Sequence, residues 1–131
     1  MTSIMLVEDH AVVAEALVRL LQERGSHKVV AVADSAEAAQ ERLAGLEPDL
    51  LIVDVTLPKM NGIELVAKLH ETHPQLRCLM LSGHSAAQYV NRSLAAGARG
   101  YLLKEDIGGI LEGVKQVLEG NIYISKALRD V

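Results

Sequence analysis

Five short apolar runs constrain this chain most: Ile4–Val7, Val29–Val32, Leu50–Val53, Cys78–Leu81 and Tyr101–Leu103. A strand with one wet face alternates apolar and polar side chains. A strand apolar at every position is covered on both faces, as in a parallel sheet. Between the runs lie stretches whose apolar residues recur at helical spacing. Strands alternating with helices are joined by crossovers, which set the strands parallel and put helices on the sheet's faces. The pattern therefore predicts an α/β domain with a five-stranded parallel sheet.

The helix signals are local. Val13, Ala16, Leu17, Leu20 and Leu21 form an apolar stripe that predicts a first helix over Ala11–Arg24, ended by Gly25. Asp34-Ser35-Ala36-Glu37 reads as a capping box for a second. Asn61 or Gly62 opens a third, which must stop before Pro74. Ser85-Ala86-Ala87-Gln88 reads as a capping box for a fourth, ended by Gly97. Asp106 is the expected cap of the fifth, whose stripe is Ile107, Ile110, Leu111, Val114, Val117 and Leu118 and which Gly120 closes. Ile122-Tyr123-Ile124 is strand-like, and the last residues read as the start of a linker or an extra helix.

At 131 residues, half of them hydrophobic, the chain supports one domain with a real core. The net charge of −4, with scattered Lys and Arg, argues against this segment gripping nucleic acid. Phe and Trp are absent and Tyr numbers three, which disfavours stacking platforms for bases or flavins. The lone Cys78 allows no internal disulfide and reads as a packing residue. No apolar run reaches membrane-span length and no signal peptide opens the chain, so a cytoplasmic protein is expected.

Polar residues stand where the apolar runs stop. The first ends in Glu8-Asp9, the third in Asp54, the fourth in Ser82, the fifth in Lys104. In an open parallel sheet, ligands bind beyond the carboxyl ends of the strands. If strands one and three are neighbours, their ends lie about 4.8 Å apart, and Asp9 and Asp54 can share one cation. Mg²⁺ suits two such carboxylates, whose mutual repulsion it relieves. Strand five is two steps, about 10 Å, from strand three, a gap that the long stem of Lys104 can cross. A carboxylate nucleophile with a metal on one side and a hydroxyl and an ammonium on the other suits phosphoryl transfer, with Asp54 as acceptor. Each residue alone has a plainer role: Glu8-Asp9 as a helix cap, Asp54 as a solvated loop acid, Ser82 as a cap, Lys104 as a surface charge.

The segments MLVEDH (Met5–His10), DLLIVDVTLPKMNGIEL (Asp49–Leu65), LMLSGH (Leu79–His84) and AAGARGYLLKED (Ala95–Asp106) together resemble the receiver (CheY-like) domain of two-component response regulators. LPKMNGIEL and EGNIYISKAL resemble the LuxR-type (NarL/FixJ) subfamily. The resemblance implies a flavodoxin-like (βα)5 fold with strand order 2-1-3-4-5 and helices on both faces. It implies an acidic Mg²⁺ pocket of Glu8, Asp9, Asp54 and the backbone carbonyl of Thr56. Asp54 is the implied phosphoacceptor, and Ser82 and Lys104 bind the phosphoryl oxygens. Tyr101 is the implied switch aromatic, turning inward as Ser82 moves and reshaping the surface of helix four, strand five and helix five. The implied donor is a sensor histidine kinase, docking on helix one beside Ala11 and Ala14. A phosphorylation-dependent homodimer is a further implied partner. Such a domain is a signalling module, not an enzyme beyond its own phosphorylation and dephosphorylation. The expected boundaries are 1–120 for the receiver and 121–131 for the start of a linker toward an absent helix-turn-helix output domain, through which alone DNA would be met.

One departure is Glu105, where many receivers carry a cis-proline; a trans bond is expected here. Competing readings fit less well. A haloacid-dehalogenase phosphatase needs a second acid where Thr56 stands. A flavodoxin needs a Ser/Thr-rich phosphate loop after strand one, and a P-loop enzyme needs GxxxxGK[ST]. His70–His73 (HETH) is not the HExxH zinc signature. The alternative is a stand-alone or phosphorylation-independent receiver-like interaction module.

Overall fold

The computed structural model describes residues 1–129. In chain order, the strands are β1 (Ser3–Val7), β2 (Lys28–Ala33), β3 (Leu50–Asp54), β4 (Arg77–Ser82), β5 (Gly100–Leu103) and β6 (Tyr123–Ile124). The helices are α1 (Ala11–Arg19), α2 (Ala36–Leu43), α3 (Gly62–Thr72), α4 (Ala87–Ala96), α5 (Ile110–Leu118) and α6 (Lys126–Arg129). All pairings are parallel, in the order β2-β1-β3-β4-β5-β6. The five predicted strands thus take the expected order. The tail adds a short sixth at the edge, with Gly100 opposite Tyr123 and Tyr101 opposite Ile124.

Successive side chains on a strand point to opposite faces. Ile4, Leu6, Leu50, Ile52, Leu79, Leu81 and Leu102 therefore pack with α1 and α5, through Leu17, Leu21, Ile110, Val114 and Val117. Met5, Val7, Leu51, Val53, Cys78, Met80, Tyr101 and Leu103 pack with α2, α3 and α4 on the other face. Two cores explain why these strands read as unbroken apolar runs. The edge strand β2 is less covered, and its Val32 is exposed.

Several local expectations shift. The buried stripe of α1 is Ala14, Leu17 and Leu21, with Val18 half-buried, and Ala16 faces out. Ala14 is therefore a core residue, and of Ala11 and Ala14 only Ala11 is exposed. A π-helical turn over Leu20–Arg24 continues α1 to its expected end. Gly25 keeps φ −100°, and the left-handed residue is Ser26 at φ 56°. Ser35, not Asp34, caps α2, its hydroxyl accepting from the Ala38 N–H at 3.1 Å. Asn61 and Glu64 form a full capping box on α3. The start of α4 is Ala86, which has no capping side chain, because the preceding loop is held by tertiary contacts of His84 described below. Asp106 does not cap α5. It lies in a 3-10 segment over Lys104–Gly109 and accepts from the Ser125 hydroxyl, so that α5 begins only at Ile110. Gly97 takes φ +117° and ends α4, as a C-terminal glycine does. The Lys104–Glu105 bond is trans.

Candidate functional site

Strands β1 and β3 are in register with Val7 opposite Val53, so Glu8 and Asp54 stand side by side just beyond them. Both are buried, at 2% and 1% exposure. Taking two neighbouring carboxylates out of water is costly unless each finds donors or a cation. Asp54 finds both: Oδ1 accepts from the Thr56 N–H at 3.0 Å, and Oδ2 from Lys104 Nζ at 2.8 Å. Lys104 leaves the end of β5, two strands away, and its stem crosses to reach this acid.

Glu8 is only half satisfied. Its Oε2 accepts from the His10 backbone N–H at 3.1 Å. Its Oε1 lies 3.3 Å from Lys104 Nζ but outside hydrogen-bonding alignment, so it is the buried side-chain oxygen without a hydrogen-bond partner among the described residues. The contact with Lys104 is thus one of charge. Burial, and then the adjacent Asp54 carboxylate, push the Glu8 carboxyl above its usual range; the His10 N–H and Lys104 pull the other way. For Lys104, burial works to lower the ammonium. The hydrogen bond and charge of Asp54 and the charge of Glu8 outweigh it, and the group sits above the ordinary lysine value.

Asp9 is more open, and His10, which precedes α1, closes the cluster. Its Nδ1 lies 3.2 Å from Glu8 Oε2 and 3.3 Å from Asp9 Oδ1. One donor atom from each of Glu8, Asp9, His10 and Asp54 lies within 4.8 Å of the others. The hard oxygen donors and the orphaned Glu8 Oε1 fit a small dication.

Across Asp54, β4 ends in the fully buried Ser82. Its Oγ accepts from the His84 N–H at 2.9 Å. The Tyr101 side chain is already turned inward and fully buried, not poised outside as the expected inward swing requires, and its hydroxyl donates to the His84 carbonyl at 2.7 Å. Burial raises the Tyr101 hydroxyl's pKa, opposed by its contact with Ser82. The His84 ring stacks on Tyr89 with centroids 4.1 Å apart, and its Nε2 lies 3.2 Å from Thr56 Oγ1. The loop after β3, the loop after β4 and strand β5 are thereby tied together around one histidine. Behind the site, a Cβ on Gly62 would stand 2.1 Å from the Asp54 carbonyl oxygen, so only glycine lets α3 start this close to the acid.

Glu8, Asp9, Asp54 and Lys104 come together as the strand ends predicted. Ser82 lies at the end of the neighbouring strand, hydrogen-bonded to its own loop. The sequence reading missed His10, whose only signal was adjacency to two acids. It also missed how His84 joins Ser82, Thr56 and Tyr101, for which no local signal exists.

Residues 4–124 match the model of the response regulator receiver domain. This chain belongs to that family. It is 37% identical over 122 residues to the transcriptional regulatory protein DegU of Brevibacillus brevis, covering 92% of this chain and 52% of that protein. It is 39% identical over 122 residues to the DNA-binding transcriptional activator DevR/DosR of Mycobacterium tuberculosis, covering 92% and 56%. A LuxR-family two-component response regulator from Aurantimonas sp. SI85-9A1 superposes with a TM-score of 0.94 at 30% identity, covering 99% of this chain and 94% of that one. The receiver domain of the response regulator NarL from Mycobacterium tuberculosis gives 0.86 at 30% identity, covering 92% and 98%. The receiver chain spans little more than half the length of these two transcriptional relatives. Among the described residues, no helix is long and apolar enough to cross a membrane.

Proposed function

We propose that this receiver domain accepts a phosphoryl group on Asp54 from a phosphohistidine of a sensor kinase and so controls an output, transcription by the analogy of its relatives. The observation that carries the reading is a buried Asp54 held by Lys104 at 2.8 Å beside a half-satisfied Glu8. An Asp54 carboxylate oxygen attacks phosphorus while the phosphorus–nitrogen bond of the donor breaks, its electron pair leaving on the donor imidazole. The Thr56 N–H orients the attacking carboxylate. The Lys104 ammonium then passes from the carboxylate to the phosphoryl oxygens, where it meets charge spread over the equatorial positions. Glu8, Asp9, Asp54 and the Thr56 carbonyl would hold Mg²⁺, which supplies positive charge against both the acids and the incoming group.

The signal follows from the loop beyond Ser82. Once Ser82 turns its hydroxyl to the phosphoryl group, it gives up the His84 N–H. His84 carries the Tyr101 hydroxyl on its carbonyl, so the α4–β5–α5 surface responds. That surface is the one offered to a second copy or to an output domain, with residues 121–131 as the start of the connection. The exposed Ala11 beside the acids leaves room for the kinase on α1.

The test is Mg²⁺-dependent labelling by acetyl phosphate. Wild type takes up phosphate and Asp54→Asn does not; equal labelling of the two refutes the assignment. Tyr101→Ala separates signal from chemistry: it keeps the labelling and loses phosphorylation-dependent assembly.

A further inference from the structure

We propose that His10 is an additional metal ligand, tuning the acidic pocket toward borderline first-row dications such as Co²⁺, Ni²⁺ or Zn²⁺ in preference to Mg²⁺. The inference rests on the metal-holding reading above and concerns only what this imidazole adds to it.

The geometry carries the point. The His10 side chain is 64% exposed, so packing does not dictate where its ring lies. Yet its Nδ1 faces two carboxylates at once, at 3.2 Å from Glu8 and 3.3 Å from Asp9. Donors at adjacent positions around an ion with bonds of about 2.1 Å stand about 3.0 Å apart, and those on opposite sides about 4.2 Å. The four donors of Glu8, Asp9, His10 and Asp54 lie within 4.8 Å of one another, so small side-chain adjustments bring them onto one ion. A second observation is independent of the exposed acids. Glu8 Oε1 belongs to a side chain 0% exposed, has no hydrogen-bond partner among the described residues, and stands in the same cluster. The Lys104 ammonium faces that oxygen at 3.3 Å without hydrogen-bonding it, so the oxygen can still take a metal bond.

Ligand chemistry then decides which cation. Oxygen donors suit Mg²⁺, whereas imidazole adds affinity mainly for the later first-row metals. A pocket of carboxylates alone favours the hard ion; the same pocket with one imidazole does not. The competing account is that His10 acts as a cation paired with the acids. In that case its removal changes the binding of every dication alike.

The test compares Mg²⁺ and Co²⁺ binding by titration calorimetry for the wild-type chain, His10→Ala and His10→Gln, with far-UV circular dichroism to confirm folding. Mg²⁺ competition separates the pocket from other histidines that bind Co²⁺. Expected is a Co²⁺ affinity that falls about tenfold or more in both variants while Mg²⁺ affinity stays within about threefold. A hyperfine-shifted imidazole ring proton in the Co²⁺-loaded wild type should vanish in His10→Ala. Equal loss for both ions, or no loss for Co²⁺, overturns the role of His10 and leaves the Mg²⁺ pocket standing. If the wild type binds neither ion, the metal-holding reading itself fails.

Discussion

Replacing Lys104 with methionine isolates the charge at the centre of the site, because the stem is kept and the ammonium is lost. The ammonium lies 2.8 Å from Asp54 and 3.3 Å from Glu8, whose side chains are 1% and 0% exposed. Removing one partner of a buried pair costs about 3–5 kcal/mol. Lys104 itself is 24% exposed, so water screens part of its charge and roughly 2–4 kcal/mol is expected at pH 7. For a chain of this size that is a fall in Tm on the order of 10 °C. The deficit must depend on pH with a definite sign. Lys104 helps hold the Glu8 carboxyl down against burial; without it that carboxyl rises further above the ordinary 4.5. The folded variant then binds more protons than folded wild type through the acidic range, so its relative stability falls as pH rises. The deficit is small in acid, grows through the carboxylate range and levels off near neutrality. Urea unfolding followed by circular dichroism at several pH values reads it directly. On the proposed reading, Mg²⁺ at about 100 times its Kd adds about 2.7 kcal/mol to any form that binds it, and should bring the variant near the stability of metal-free wild type. A deficit of the same size at acid and neutral pH would refute the argument, since the loss would then not follow the ionisation of the neighbouring carboxylates.

Four further outcomes are expected. Glu8→Gln should stabilise the metal-free domain at pH 7, because burial raises this carboxyl and charging it costs the fold; the gain should fade as the pH falls toward the ordinary 4.5 and be absent below it, as thermal melts across pH will show. Gly62→Ala forces backbone to move away from a contact of 2.1 Å, and should cost about 1–3 kcal/mol in urea while impairing acetyl phosphate labelling. Ser125→Ala removes the buried partner of Asp106 and should cost about 1–3 kcal/mol, with faster amide exchange in β6 than in β4. Cys78, with burial pushing its thiol up to about 12, should react with a thiol reagent only as the protein unfolds, and fast modification of the native domain would contradict that burial.

The chain's own order of residues determined the parallel α/β architecture, because two buried faces demand apolar side chains at consecutive positions and the helix spacing between the strands leaves one way to connect them. It also determined which polar residues meet, since strand ends in a parallel sheet share one rim: Glu8, Asp9, Asp54 and Lys104 were legible on that ground alone. Local capping chemistry was legible where the side chain competes only with solvent, as at Asn61 and Glu64. Tertiary structure decided the rest. Asp106 caps nothing because Ser125, a residue from the far end of the chain, takes its carboxylate. Ser85 lost the start of α4 where His84 was drawn to Thr56 and Tyr89. Ala14 became core and Ala16 surface because the sheet, not the helix, chose which stripe of α1 to cover. In each case a deciding partner lies outside the local segment, and its energy of about 1 kcal/mol exceeds the preference of the local residue it overrides.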